Sequence, residues 1–140
     1  MTTLIASDRS ADRAGSSKAL TISLWVAQGL LAAVFLMAGG MKLTAPPEQF
    51  AQAGIAPGLA RFIGVAEIAG ALGLVLPAAT GILPFLTPLA ALGLTVVMVL
   101  ATGFHVQHGD TLAHTLMPVP IGAIAAFVAW GRFRRNATRA

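Results

Sequence analysis

The chain has 140 residues, of which 56% are hydrophobic and only 10% are charged. A soluble domain carries about 25% charged residues, and a globule of this length cannot bury so much apolar surface, so the composition excludes an ordinary soluble protein. The absence of cysteine excludes disulfides, thiol redox chemistry and cysteine-ligated metal centres. The net charge of +4 does not indicate nucleic-acid binding, because no basic face is interleaved with aromatic residues.

The first part of the chain combines a polar segment with an apolar one. Residues 1–18 are largely polar, and we expect them to form a disordered cytoplasmic tail. Residues 19–41 carry no charge. A helix of this length, at about 1.5 Å per residue, is long enough to cross about 30 Å of hydrocarbon. A signal peptide is the competing interpretation, but the apolar stretch is long for one and no clean cleavage site follows it. We therefore predict a first membrane span.

The remaining apolar segments predict three more spans. A loop rich in proline and glycine, Lys42 to Gly58, follows the first span, and Pro47 suits the first turn of a short helix at the membrane interface. The predicted spans cover residues 59–78, 82–104 and 112–131, with a tight turn over residues 77–81. Asp110 is expected to cap the last helix, and Pro118 and Pro120 are expected to kink its start. The predicted fold is all-α: an integral membrane four-helix bundle over residues 19–131, followed by a basic cytoplasmic tail over residues 132–140.

The distribution of basic residues predicts the orientation. Four spans place both termini on one side of the membrane. The terminal segments hold seven of the nine basic residues, namely Arg9, Arg13, Lys18, Arg132, Arg134, Arg135 and Arg139. The positive-inside rule therefore predicts that both termini are cytoplasmic. Trp25 and Trp130 then lie near the cytoplasmic interface, where aromatic residues are enriched.

Glu67 is an acid within the otherwise apolar second span. An ionisable side chain at bilayer depth costs roughly 2.5–3.5 kcal/mol on insertion scales, so it is usually retained for a partner or a function. Two interpretations stay open for Glu67. It is either a structural acid paired with Lys42, Arg61 or a histidine, or a functional acid. Gln28 and Thr95, which are uncharged polar residues within spans, are expected to hydrogen-bond between helices.

The predicted topology places a set of polar residues in the outer half of the bundle. These candidate ligand-binding residues are Glu67, Lys42, His105, Arg61 and His108. Facing helices of a bundle can direct such groups into one pocket. Each also has a simpler interpretation: Arg61 can extend to headgroups, and the histidines can be loop residues. His105 and His108 have no recognisable third ligand, so we predict no metal site.

Four segments resemble the DoxX-like family of small bacterial four-helix membrane proteins. They are the end of the first span, residues 35–43; the second span, residues 64–77; and the exit of the third span, residues 105–110, together with the last apolar segment, residues 128–132. The resemblance implies that Lys42, Glu67 and His105 are the polar positions of the family in this sequence. It also implies the bacterial cytoplasmic (inner) membrane and a quinone-linked redox role.

These observations lead to three functional hypotheses. The first is an accessory or quinone-interacting subunit of a membrane oxidoreductase, with quinone as ligand and a membrane or soluble oxidoreductase as partner. The second is a small proton- or cation-coupled transporter or channel in which Glu67 is the coupling acid. The third is a membrane scaffold without a ligand. The sequence predicts contact with the lipid bilayer, is compatible with a homo-oligomer, and leaves open whether the protein is an enzyme.

Overall fold

A computed structural model describes the backbone of residues 2–138 and the side chains of residues 12–138. This part of the chain forms six α-helices and no strands. The helices are α1 (Thr2–Thr44), α2 (Pro47–Gln52), α3 (Pro57–Thr80), α4 (Leu86–His108), α5 (Leu112–Leu116) and α6 (Pro118–Ala137). Four segments are long and apolar enough to cross a membrane: residues 12–44 of α1, α3, α4, and the combined segment of α5 and α6. The predicted all-α, four-span membrane bundle is thus confirmed.

The four long helices pack in the circular order α1, α3, α4, α6, and α6 closes the ring against α1. At one end, Arg135 Nη1 donates a hydrogen bond to Thr21 Oγ1, and Asn136 Nδ2 donates to the carbonyl of Pro84 at 3.1 Å. The start of the first span, the α3–α4 turn and the end of α6 therefore lie together. The short helices α2 and α5 lie at the opposite end, with Lys42 and His105.

The core of the bundle consists of alanine, leucine and valine side chains from all four long helices, together with Phe35 of α1. Its buried members are Ala27, Leu31, Ala32, Phe35, Ala71, Leu74, Ala91, Leu94, Ala125, Val128 and Ala129. Many larger apolar side chains point outward instead, for example Phe62, Leu100 and Val99, which are 65–70% exposed. Outward apolar surface is what a bundle surrounded by lipid requires, because lipid tails are as apolar as the side chains.

The first and last helices extend beyond the apolar segments into the terminal segments. The predicted disordered tail, residues 1–18, is helical from Thr2 onward, and Met1 lies outside the described residues. This segment contains no proline and only one glycine, Gly15, and extending an existing helix is far less costly than nucleating a new one. For the same reason α6 continues through the basic segment to Ala137. Residues 139 and 140 also lie outside the described part.

Proline and polar residues at the helix ends account for three further differences between the structure and the prediction from sequence. Pro77 lies inside α3 and not in a turn. The helix ends instead at Gly81, whose φ of +73° favours glycine, and α4 begins only at Leu86. The N-cap of α5 is Thr111, not Asp110, and its hydroxyl accepts from the amide of His114 at 3.5 Å. The predicted kink near Pro118 is a break between two helices.

Candidate functional site

Two glycines bring α1 and α3 into close contact. A Cβ atom on Gly39 would lie 2.7 Å from the carbonyl oxygen of Gly64 and 2.8 Å from Cγ1 of Ile68. A Cβ atom on Gly64 would lie 3.0 Å from the carbonyl oxygen of Gly39 and 3.0 Å from Cβ of Lys42. Only glycine leaves room for backbones this close, which is the usual role of small residues between membrane helices. The crossing point of α1 and α3 is therefore fixed by Gly39 and Gly64.

This crossing places Lys42 beside Glu67. Each residue lies three positions after one of the crossing glycines, and residues three apart share a helix face. Lys42 Nζ lies 3.0 Å from Glu67 Oε1 and 2.9 Å from Oε2, so one ammonium group binds both carboxylate oxygens. Of the open interpretations of Glu67, the structure shows pairing with Lys42.

The two members of this ion pair differ in exposure. Glu67 is 2% exposed, whereas the side chain of Lys42 is 31% exposed. Glu67 lies ten residues after the start of α3, about 15 Å along the helix axis, and it shares a buried face with Ala60, Gly64 and Ala71. The carboxylate is therefore enclosed by the bundle. The ammonium group has three donor hydrogens, of which the carboxylate engages two, so one can meet a ligand.

Arg61 has a backbone partner at the end of α1. Its Nη2 donates to the carbonyl of Ala45 at 3.1 Å. The last carbonyl groups of a helix have no partner within the helix, and Ala45 directly follows α1. Arg61 thus joins the end of α1 to the start of α3, and its position stabilises the crossing that carries Lys42 and Glu67.

A second polar cluster lies at the end of α4. His105 Nδ1 is 2.6 Å from Asp110 Oδ2, and the rings of His105 and His114 are stacked with centroids 6.3 Å apart. The hydrogen bond from His105 lowers the pKa of the Asp110 carboxyl below its ordinary value of 3.8, and the nearby histidine charges lower it further. An ionised carboxylate is an acceptor only, so Asp110 Oδ2 accepts the hydrogen bond from His105 Nδ1.

His108 makes local contacts. Its Nδ1 lies 2.9 Å from the carbonyl oxygen of Phe104, and its ring stacks on the Phe104 ring at 3.9 Å. A Cβ atom on Gly54 would lie 3.2 Å from His108 Nε2, so the imidazole packs against the loop after α2. His108 therefore positions the end of α4 against this loop.

The structure places the predicted site residues in two clusters at the same end of the bundle. One is the Lys42–Glu67 pair with Arg61 nearby on α3, and the other is His105 with Asp110 and His114. A single pocket shared by all five predicted residues stays a prediction. Within residues 12–138, no three His, Asp or Glu side chains form a group that could hold a metal ion.

A polar network at the opposite end was only partly anticipated. Gln28 is fully buried; its Nε2 donates to the carbonyl of Leu74, and its Oε1 accepts from Arg132 Nε at 2.7 Å and from Arg132 Nη2. The amide thus joins α1, α3 and α6, as expected for Gln28. Thr95 behaves differently, since its hydroxyl bonds to the carbonyl of Ala91 in its own helix. The part played by Arg132 was missed because its position in a basic segment indicated a solvated tail.

Two concave regions lie away from these clusters. An apolar groove of about 380 Å³ runs between α4 and α6 and is lined by residues such as Met98, Val119 and Gly122. A polar cleft of about 480 Å³ lies between α1 and the end of α6 and is lined by Arg13, Arg135 and neighbouring hydroxyl groups. Neither of these two regions contains Lys42 or Glu67.

Comparison with known sequences agrees with this architecture. Residues 26–128 match the sequence model of the DoxX-like family. The chain belongs to the DoxX-like family. The match begins within α1 and ends within α6, so it contains the second and third spans whole, parts of the first and fourth, and the residues Lys42, Glu67 and His105. A comparison with curated proteins and with solved structures finds no significant match.

Proposed function

We propose that this DoxX-like protein is an accessory, quinone-interacting subunit of a membrane oxidoreductase in the bacterial cytoplasmic membrane. The Lys42–Glu67 ion pair is the observation that carries the proposal. It sets a buried carboxylate and a partly exposed ammonium group side by side in an apolar bundle. Intramembrane ion pairs are costly and commonly mark functional sites. The quinone assignment itself rests on the resemblance to the DoxX-like family, which implies a quinone-linked redox role.

The chemistry of the pair suits both forms of a quinone ring. A quinone presents two carbonyl oxygens, which accept hydrogen bonds, and the remaining N–H of Lys42 can donate to one of them. A quinol presents two hydroxyl groups, which donate, and in this proposal the Glu67 carboxylate accepts from one of them when Lys42 turns aside. Lys42 then serves the oxidised ligand and Glu67 the reduced one. Reduction of a quinone takes up two electrons and two protons: in this proposal the partner oxidoreductase supplies the electrons, and Glu67 exchanges one of the two protons.

The surroundings of the pair favour a ligand that arrives through the lipid. Phe62 is 70% exposed, Met41 is 58% exposed and Val65 is 57% exposed, and all three lie close in sequence to Lys42 or Glu67. Such apolar residues present a surface to lipid and not to a polar solute. A lipid-soluble ring can therefore approach the exposed side of Lys42 laterally, while Glu67 stays shielded from water.

The test compares wild type with Glu67→Gln after purification in detergent. We expect wild type to retain a quinone, detected in an organic extract, and to show a rise in melting temperature on addition of a short-chain quinone. Glu67→Gln should lose both properties. Glu48→Gln is the matched control, because Glu48 is an exposed acid on α2 and loses the same charge. A wild-type protein that binds no quinone, or a Glu67→Gln variant that binds it normally, would contradict the proposal.

Transport is the second candidate, and the burial of Glu67 is the observation that favours it. A membrane-buried acid can couple proton or cation movement to that of a solute. In this chain Lys42 already supplies a counter-charge, which makes the oxidoreductase proposal the better supported of the two. Uptake of a cationic solute by proteoliposomes, driven by a proton gradient and abolished in Glu67→Gln, would favour transport. Absence of both activities would leave the scaffold hypothesis.

We also propose that both termini are cytoplasmic, as the basic residues indicate. Because the chain contains no cysteine, single cysteines report topology without further changes. Gly58 has open space around it, and Ala137 is exposed at the end of α6. In intact cells an impermeant thiol reagent should label Gly58→Cys and not Ala137→Cys. The reverse pattern would invert the orientation, and equal labelling would contradict the four-span topology.

A further inference from the structure

The polar cleft at the termini has the composition of an anion site. It lies between residues 12–20 of α1, at the start of the apolar span, and the last turn of α6. Its volume is about 480 Å³. Two guanidinium groups line it, those of Arg13 and Arg135, together with the hydroxyl groups of Ser16, Ser17 and Thr138. These side chains all donate hydrogen bonds, which phosphate oxygens accept.

The cleft lies at the height of a lipid headgroup. Its remaining lining residues include Leu20, close to the start of the apolar run of α1. At the same end of the bundle, the guanidinium carbon of Arg132 lies 4.9 Å from the Trp25 ring centre, and that of Arg134 lies 5.0 Å from the Trp130 ring centre. Tryptophan and arginine together mark the boundary between hydrocarbon and water. The lining of the cleft thus combines one apolar side chain, that of Leu20, with the cationic groups of Arg13 and Arg135.

We propose that this cleft binds the phosphate group of an anionic phospholipid. Arg13 and Arg135 hold the phosphate, the hydroxyl groups of Ser16 and Ser17 complete its coordination, and Leu20 contacts the first methylene groups of an acyl chain. The Thr138 hydroxyl donates to the carbonyl of Arg135 at 3.0 Å and borders the site without donating to the phosphate. Basic pockets between membrane helices are known to select such headgroups. The hydrogen bond from Arg135 Nη1 to Thr21 holds this guanidinium in place and leaves other N–H groups of its five for the ligand.

Asp12 also lines the cleft, and its carboxylate narrows the class of ligand that fits. Asp12 reduces the charge of the two arginines to a net +1, and its carboxylate can accept a hydrogen bond from a headgroup hydroxyl. A phosphodiester with a hydroxylated headgroup, such as phosphatidylglycerol, satisfies both the cations and this acid. The site is distant from Lys42 and Glu67 and does not depend on the proposed function. A bound lipid here would tie the start of the first span to the end of the last.

The experiment titrates the purified protein in neutral detergent with short-chain phosphatidylglycerol and follows binding by native mass spectrometry. The detergent removes the charged bilayer surface, so general attraction of basic residues does not contribute. We expect wild type to bind one lipid and Arg13→Gln to bind about tenfold more weakly, as the loss of one charge-assisted hydrogen bond implies. Lys18→Gln is the matched control: Lys18 is exposed on the same helix, carries the same charge and does not line the cleft.

Two further variants distinguish the loss of a phosphate contact from a purely structural effect. Arg135→Gln should weaken binding as Arg13→Gln does, whereas Thr21→Val, which removes the bond from Arg135 and the local bond from the Thr21 hydroxyl to the carbonyl of Ser17, should retain the cationic group and most of the affinity. Phosphatidylcholine should not compete. Equal effects of Arg13→Gln and Lys18→Gln would overturn the proposal. Displacement of the lipid by inorganic phosphate at the same concentration would overturn the lipid assignment and indicate a site for free phosphate.

Discussion

The contact between Gly39 and Gly64 makes a quantitative prediction about the helix crossing that carries Lys42. A Gly39→Ala substitution would place a Cβ atom 2.7 Å from a backbone carbonyl oxygen, about 0.7 Å short of the 3.4 Å at which ordinary contact begins. A backbone carbonyl cannot swing aside as a flexible side chain can. We therefore expect α1 and α3 to separate locally by several tenths of an ångström.

The magnitude follows from two opposing effects. Forcing an additional carbon into a packed interface costs about 1–3 kcal/mol, whereas replacing glycine by alanine within a helix gains about 1 kcal/mol of helix propensity. Gly40→Ala provides the control, because a Cβ atom on Gly40 meets nothing within 4 Å. It shares the propensity gain and lacks the steric cost. The free energy of unfolding should therefore be lower for Gly39→Ala than for Gly40→Ala by about 1–3 kcal/mol.

Reversible unfolding in mixed micelles, followed by circular dichroism, measures this difference. The same samples report on the site, because separation of the helices should weaken the contact between Lys42 and Glu67. If Gly39→Ala and Gly40→Ala unfold at the same denaturant concentration, the close crossing does not exist as described. The placement of Lys42 beside Glu67 by the two glycines would then lose its physical basis.

Three further predictions concern the polar groups. Lys42→Met should destabilise the fold by about 3–5 kcal/mol because it leaves a buried carboxylate unpaired. Glu67→Gln should destabilise it less, because the lysine can turn to the headgroups. The opposite ranking of the two variants in unfolding experiments would contradict the assigned burial of Glu67. Gln28→Leu should cost about 1–3 kcal/mol in the same assay because the buried amide joins three helices, and an unchanged stability would argue against that network. Carbon-13 NMR should show that the Asp110 carboxyl titrates below its ordinary pKa of 3.8. The contribution of its ion pair to the stability of the fold is therefore complete above pH 3.8 and is lost as the pH falls through the lowered pKa of the folded state. His105→Gln should move this titration upward, and an unchanged titration would refute the pairing.

The membrane architecture was predictable because the bilayer imposes strong constraints. Long uncharged segments must be helical and must cross the hydrocarbon, so four spans could be placed from composition alone. Their limits were less accurate. Pro77 indicated a turn, yet a membrane helix tolerates proline when neighbouring helices satisfy the freed backbone groups. The first and last helices also extend beyond the apolar segments, because nothing in these sequences stops a helix once it has formed.

The sequence placed the polar residues of the candidate site at one end of the bundle but did not predict their contacts. An acid in an apolar span identified Glu67, and the topology placed Lys42, Arg61 and the histidines at the same end. Which cation pairs with the acid depends on the register of α1 against α3. That register is set by Gly39 and Gly64 together, and no periodicity within either helix reveals it. The sequence likewise predicted Asp110 as the helix cap, which was wrong: Thr111 is the cap, and Asp110 pairs with His105, which faces it only after α4 has ended.

Quinone binding by the double variant Lys42→Met/Glu67→Met is the most direct test of the central claim. Replacing both members of a buried ion pair by apolar residues of similar volume is often neutral for stability, so this variant should unfold like wild type. It lacks both the donor and the acceptor that the proposed ligand requires. We predict that a short-chain quinone, titrated in detergent, binds wild type saturably and does not bind the double variant. Binding of equal affinity to both proteins would show that the ion pair is structural and that the ligand site lies elsewhere.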